Sequence, residues 1–287
     1  MAVEDKYILL QEVGPRDGLQ NEHRILTVAN RVELVEELLD AGLRRIQIGS
    51  FVSPRLVPQM AGTDELWRRL RKRPEVRYSV LTLNARGLDL ALRARIPHVE
   101  IYASASETHS IKNAGASAED SLRSCAIMIE SAIAEGVGVT AGVMCAFGCF
   151  FEGAMPLDKI VAMVARFQEK LPLEIGLADT SGMADPSTIR TTIQAVSREV
   201  PVESITLHLH DTRGLGIQNM IAAVELGVRR FDTSLGGLGG CPFIPGAPGN
   251  ISTERAVETL HSMEFETGVN AGRIASVWEK TRKALGR

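Results

Sequence analysis

Hydrophobic positions along the chain follow two alternating rhythms. Short runs rich in aliphatic and β-branched residues recur at 7–13, 45–48, 77–83, 98–103, 137–145, 173–177, 204–210 and 229–234. Between them, apolar residues return at spacings of three and four. In VANRVELVEELLDAG, residues 28–42, the residues Val28, Val32, Val35, Leu38 and Leu39 share one helical face, and Gly42 is a stop. The stretches 120–134, 156–169, 185–200 and 215–226 carry the same period. Eight strands alternating with helices require crossover connections, and hence parallel pairing. The pattern predicts an α/β fold, a closed (β/α)8 TIM barrel, rather than an open doubly wound sheet. The first strand runs into VGPRDGLQNE, which lacks the G-x-G-x-x-G spacing of a dinucleotide-binding turn. Residues from about 253 to 287 read as extra C-terminal helices packed on the barrel. The whole chain, 1–287, then forms a single catalytic domain.

Composition narrows the function. With 287 residues and 45% hydrophobic content, the chain can bury a core without disulfide or metal staples. A net charge of −3 speaks against a nucleic-acid partner or a polybasic membrane contact. The basic cluster Arg68, Arg69, Arg71, Lys72 and Arg73 reads as a solvated helix end. The opening MAVEDKYILLQEV has acids where a signal peptide is basic. The uncharged stretch 233–253 is broken by Gly and Pro, and 136–151 is too short for a bilayer. Four cysteines, Cys125, Cys145, Cys149 and Cys241, suggest free thiols in a reducing, cytoplasmic setting.

Barrel enzymes place their chemistry at the C-terminal ends of the strands. That rule gathers Arg16 and Asp17, Ser50 and Phe51, Asp179 and Thr180, His208, His210 and Asp211, and the loop 236–250 around one mouth. His208 and His210, in SITLHLHDTRG, are two apart on a strand and point the same way. Such a pair is either core histidine or a metal site. Asp17 and the amide oxygen of Asn250 would complete a mixed nitrogen and oxygen set. That set suits Mg²⁺, Mn²⁺ or Co²⁺ better than tetrahedral structural zinc, and leaves two positions for substrate oxygens. Cys145 and Cys149 read as packing thiols.

The loop GGLGGCPFIPGAPGN, residues 236–250, has no following Lys-Ser/Thr and is no P-loop. It is either a plain long loop or a lid. Its Cys241 is either a small hydrophobe or an acid, base or redox group.

The motifs EVGPRDGLQNE (12–22), SFVSPRLVPQM (50–60), CAFGCFFEG (145–153), HLHDTRG (208–214) and GGLGGCPFIPGAPGN (236–250) resemble those of the 3-hydroxy-3-methylglutaryl-CoA (HMG-CoA) lyases, metal-dependent TIM-barrel enzymes. The resemblance runs from about residue 7 to the C-terminal helices. It implies a carbon–carbon lyase cleaving HMG-CoA, or a close 3-hydroxyacyl-CoA, to acetyl-CoA and a keto acid, acetoacetate from HMG-CoA. It implies Asp17, His208, His210 and Asn250 as ligands of Mg²⁺ or Mn²⁺. Arg16 would stabilise the enolate oxygen, Asp17 would take the hydroxyl proton, and His208 or Cys241 would return a proton to carbon. Gln20, Gln47, Ser50, Asp179, Thr180 and Glu254 are expected to touch the substrate or support the ligands. A homodimer is the expected assembly, and Arg55, Lys112 and His23 are candidates for the CoA phosphates.

One departure stands out. The family carries a glutamate where this chain has Gln47, in IQIGSF, and larger residues near Gly49. With Gly176, these changes suggest a reshaped acyl pocket, with Phe147, Phe150, Phe151 and Phe243 on its apolar side. Two other readings follow: a Claisen-type condensing enzyme of the same barrel group, and a CoA-binding pseudoenzyme.

Overall fold

The computed structural model describes residues 6–169, 174–240 and 249–287. Eight parallel strands close in sequential order: β1 Leu9–Glu12, β2 Arg45–Ser50, β3 Arg77–Thr82, β4 His98–Ser104, β5 Gly138–Met144, β6 Glu174–Ala178, β7 Ile205–His208 and β8 Arg230–Thr233. Leu9 opposite Arg230 seals β8 to β1. The helices are α1 Val28–Asp40, α2 Thr63–Arg69, α3 Ala85–Arg93, α4 Glu107–Ala114, α5 Ala118–Ala134, α6 Leu157–Gln168, α7 Pro186–Val196, α8 Gly216–Glu225, α9 Thr253–Ser262 and α10 Ala271–Leu285.

This is the (β/α)8 barrel the rhythm predicts, with β1, β3, β5, β7 and β8 shorter than that reading, β2 and β4 longer, and β6 moved by one residue. Helices α2, α3 and α4 escape a periodicity reading because they run only seven to nine residues, less than the window that resolves a 3.6 repeat. The buried face of α1 is Arg31, Leu34, Val35, Leu38 and Leu39, while Val28 and Val32 are only partly covered. Arg31 lies inside because its guanidinium donates to Ala61 O at 2.8 Å. Arg68 and Arg69 form exposed ion pairs with Asp64 and Glu65. Arg73 departs from that solvated end, lying between Glu36 and Asp40.

The strands face apolar residues outward and polar residues inward. On β4, Val99 and Ile101 join the hydrophobic cluster, whereas His98 bonds Thr140 on neighbouring β5 and Glu100 accepts from Gln11 of β1 across the barrel. Barrel interiors are usually filled by branched aliphatics; a polar filling must find partners within itself. At the N-terminal end it does so around Glu174, which accepts from Arg45 (2.8 and 3.0 Å), Arg77 (2.9 and 3.0 Å) and Thr206 (2.9 Å). Burial alone would raise the Glu174 pKa, but Arg77 and Arg45 outweigh it and hold the carboxyl far below its usual range.

The C-terminal helices pack beside α1. Asn270 N donates to Ala41 O at 2.8 Å, and Lys280 bonds Glu33 and Glu37 at 2.5 and 2.6 Å. Among the described residues, no helix is long and apolar enough to cross a membrane.

Candidate active site

The first strand ends in a tight turn, Gly14–Gly18, in which Val13 O accepts from the N–H groups of Arg16, Asp17 and Gly18. That turn carries Arg16 and Asp17 into the barrel mouth, where both are buried. Strand β7 ends at His208, two residues earlier than its sequence suggests. His210 then pairs with Asn250 in an isolated antiparallel bridge. Asp211 N donates to Gly249 O (2.7 Å) and Ile251 N to Leu209 O (3.1 Å). Backbone pairing therefore fixes Asn250 beside the two histidines.

Asp17, His208 and His210 each bring one ligand atom within 4.8 Å of the others. His208 Nε2 and His210 Nε2 are 3.1 Å apart, and His208 Nε2 is 3.9 Å from Asp17 Oδ2. Asn250 Nδ2 donates to Asp17 Oδ2 (2.7 Å) and Leu238 O (2.9 Å), while its Oδ1 is buried without a partner among the described residues. Two facing imidazole nitrogens, an ionised carboxylate and an orphaned amide oxygen are a donor set that a hard or borderline dication satisfies. Gly239 makes room for it: at φ +101°, a Cβ there would stand 2.5 Å from Asn250 Nδ2 and 3.0 Å from Asp17 Oδ2.

The charges are consistent with such a site. Burial would raise the Asp17 pKa, but Arg16, His208 and His210 bring it down to about 2. Burial would lower His208, but its bond to Asp232 raises it. Burial, with His208 alongside, drives His210 down to about 3. Arg16 donates through Nη1 to Asp17 and through Nε to Gln47 Oε1. Gln47 is fully buried, and its Nε2 has no partner among the described residues. Gln20 donates to Asp17 Oδ1 at 2.9 Å.

A cavity of about 630 Å³ opens onto this cluster, lined by Arg16, Asp17, Gln20, Ser50, Thr180, His208 and His210 among others. Several expected positions lie elsewhere. Asp179 accepts the N–H groups of Met183 and Ala184 and shapes the loop after β6; burial lifts its pKa to about 7. Glu254 accepts from Gly236 N and Ser252. Both support backbone rather than line the cavity. Phe147 belongs to the core, Phe150 is 55% exposed, and neither they nor Phe151 line the cavity. Gly49 empties no pocket, because its face is filled by Thr63, 2.7 Å from where a Cβ would sit. Arg55, Lys112 and His23 are exposed and do not line the cavity. Cys145 and Cys149 are buried, and burial pushes the Cys145 thiol up to about 12. Cys241 and Phe243 lie outside the described residues.

The structure adds Asp232, Gln11, Glu100 and Tyr102. Asp232 Oδ2 is 3.1 Å from His208 Nδ1. Gln11 Nε2 donates to both Asp232 Oδ1 (3.0 Å) and Glu100 Oε1 (3.1 Å). For Asp232, Gln11 and Glu100 the signal in the sequence was a charged or amide residue in the middle of an otherwise apolar strand run; Tyr102 carried none.

The HMGL-like family model matches residues 7–280. The chain belongs to the HMGL-like family. It is 42% identical over 275 residues to the hydroxymethylglutaryl-CoA lyase of Pseudomonas mevalonii, covering 96% of this chain and 91% of that protein. It is 38% identical to the 3-hydroxy-3-isohexenylglutaryl-CoA/hydroxy-methylglutaryl-CoA lyase of Pseudomonas aeruginosa, covering 98% and 94%. An HMG-CoA lyase of Acinetobacter baumannii, solved with coenzyme A and 3-methylmalate, superposes with a TM-score of 0.95 at 33% identity, covering 100% and 94%. Within the HMGL-like family, the cluster at the barrel mouth is the candidate catalytic centre.

Proposed function

We propose that the protein is a divalent-metal-dependent carbon–carbon lyase. It splits HMG-CoA, or a close 3-hydroxyacyl-CoA, into acetyl-CoA and a keto acid, acetoacetate when the substrate is HMG-CoA. The observation that carries this reading is the convergence of Asp17, His208 and His210 beside Arg16 in one cavity of an HMGL-like barrel. Asp17, His208, His210 and Asn250 would hold Mg²⁺ or Mn²⁺, which supplies Lewis acidity to substrate oxygens when bound.

The protein's own groups do the rest. Asp17, ionised across the neutral range, accepts the C3 hydroxyl proton. Arg16, fixed by Asp17 and Gln47, places positive charge where the thioester fragment becomes an enolate after the C2–C3 bond breaks. His208 commits Nδ1 to Asp232 and Nε2 to the ligand set, so Cys241 is the proposed donor of the proton returned to carbon. Gln20, Ser50 and Thr180 shape the cavity around the acyl group. A cytoplasmic homodimer is the expected form, which light scattering checks.

The test is acetyl-CoA release from HMG-CoA in the presence of Mg²⁺ or Mn²⁺. Consumption of acetyl-CoA with an α-keto acid would point to the condensing reaction. Retention of CoA binding with neither activity, and with activity recovered in Gln47→Glu, would point to a pseudoenzyme. Cys241→Ser at full rate removes the thiol from the mechanism.

A further inference from the structure

The cavity that holds the ligand cluster also has a polar lining on β4, and nothing in the proposed cleavage uses it. Glu100 and Tyr102 are adjacent inward positions of β4, and both line the cavity. Glu100 is only 1% exposed. Its Oε1 takes both of its hydrogen bonds, from Ser79 Oγ (2.5 Å) and Gln11 Nε2 (3.1 Å). Among the described residues Oε2 has no hydrogen-bond partner, and no cation pairs with the carboxyl. Tyr102 Oη likewise has no partner among the described residues. Its ring occupies the space above two glycines: a Cβ on Gly142 would stand 2.0 Å from Tyr102 Cε1, and one on Gly176 2.2 Å from Oη. Two polar groups are thus held by their neighbours, with their free atoms left for a ligand. That is the mark of a preorganised recognition site.

The chemistry of this lining selects what reaches it. An alkyl group would leave both polar groups buried and unpaired. A carboxylate would add negative charge beside Glu100 and Asp232, while Arg16 is already engaged by Asp17. A hydroxyl gives one proton and accepts another, so it matches a carboxyl and a phenol together. We propose that Glu100 and Tyr102 are specificity-determining residues that recognise a hydroxyl on the acyl group, in addition to the hydroxyl at the cleaved bond. The preferred substrate is then a CoA thioester of a dihydroxy acid rather than a 3-alkyl one. This rests on the lyase reading given above.

The test compares HMG-CoA with its analogue bearing hydroxymethyl in place of the 3-methyl group. Both are assayed with Mn²⁺ in the parent, Tyr102→Phe and Glu100→Leu. Non-cleavable thioether analogues of both are titrated calorimetrically in parallel. The parent is expected to favour the hydroxymethyl thioester by about tenfold or more in kcat/KM. Tyr102→Phe, which keeps the ring over both glycines, should erase most of that preference, and Glu100→Leu should reverse it. Cleavage of both thioesters with a ratio near one, or a ratio that Tyr102→Phe leaves in place, overturns the inference and leaves the lyase reading standing. No cleavage, with hydroxymethyl-selective binding that Tyr102→Phe abolishes, sinks the lyase reading and supports the inference. Should Glu100→Leu not fold, the Tyr102→Phe ratio decides.

Discussion

His208 is anchored from behind by Asp232, with Nδ1 and Oδ2 3.1 Å apart, while its other ring nitrogen faces His210. A carboxylate on the far nitrogen fixes the tautomer, orients the ring and raises its basicity as a ligand. Asp232 is itself held at Oδ1 by Gln11, so the contact belongs to a chain of bonds running into the barrel interior.

Asp232→Asn keeps the shape and removes the charge. Its amide can donate to Nδ1 and so reverse the tautomer. Mn²⁺ affinity, read by electron paramagnetic resonance or calorimetry, should fall about 10–100-fold. Unchanged affinity would mean that His208 needs no anchor.

The opposite end of the barrel makes a stability prediction. Glu174 has a pKa well below its unfolded value, because Arg77 and Arg45 overcome its burial. Its contribution is therefore present above about pH 4.5 and is lost as pH falls toward the folded value. His98, depressed to about 3 by burial and by Arg77, adds a loss in the same direction as pH drops from 6.5. Glu174→Gln leaves these guanidiniums without their carboxylate and should cost about 3–5 kcal/mol at pH 7. Urea unfolding at pH 7 and pH 3 should show the gap between parent and variant narrowing in acid. A gap independent of pH would show that charge is not its source.

Gly42 closes α1 at φ +110°, and a Cβ there would sit 2.1 Å from Gly268 O in the segment leading to α10. Neither the backbone angle nor the facing carbonyl can accommodate alanine. Gly42→Ala should cost at least about 2 kcal/mol, seen as a lower urea midpoint at constant slope. A variant as stable as the parent would mean that this junction can rearrange.

Much of this site was legible in the sequence because its logic is local. The period of two puts His208 and His210 on one side, and that survives although β7 stops at His208. The barrel rule places Asp17 at the mouth from its position after the first strand. What was not legible depends on direction or on distant pairing. Asp179, just after β6, and Glu254, in the first turn of α9, lie at the mouth end of the barrel yet turn toward backbone N–H groups. Asn250 was named from its loop and from the family motif, but the pairing between 249–251 and 209–211 that holds it there is encoded by no spacing. Glu100 looks in sequence like a solvent-facing alternate position. It is inward because this barrel has helices outside and polar side chains within.

The contact between Arg16 and Gln47 separates function from stability. Gln47 is fully buried, its Oε1 receives Arg16 Nε, and its Nε2 is orphaned among the described residues. Replacing it by leucine removes one useful acceptor and one costly unpaired donor together. Loss of a bond to a charged group costs about 1.5–3 kcal/mol, and relief of an unsatisfied buried group returns about 1–3 kcal/mol. Global stability of Gln47→Leu should therefore stay within about 1 kcal/mol of the parent. Arg16, however, keeps only Asp17 and can swing away from the enolate position. The lyase rate should fall by about tenfold to a hundredfold in kcat, with KM and Mn²⁺ affinity little changed. Steady-state kinetics and urea unfolding on the same preparation decide it. A rate that falls only in step with stability would mean that Gln47 is packing, and that Arg16 is aimed by Asp17 alone.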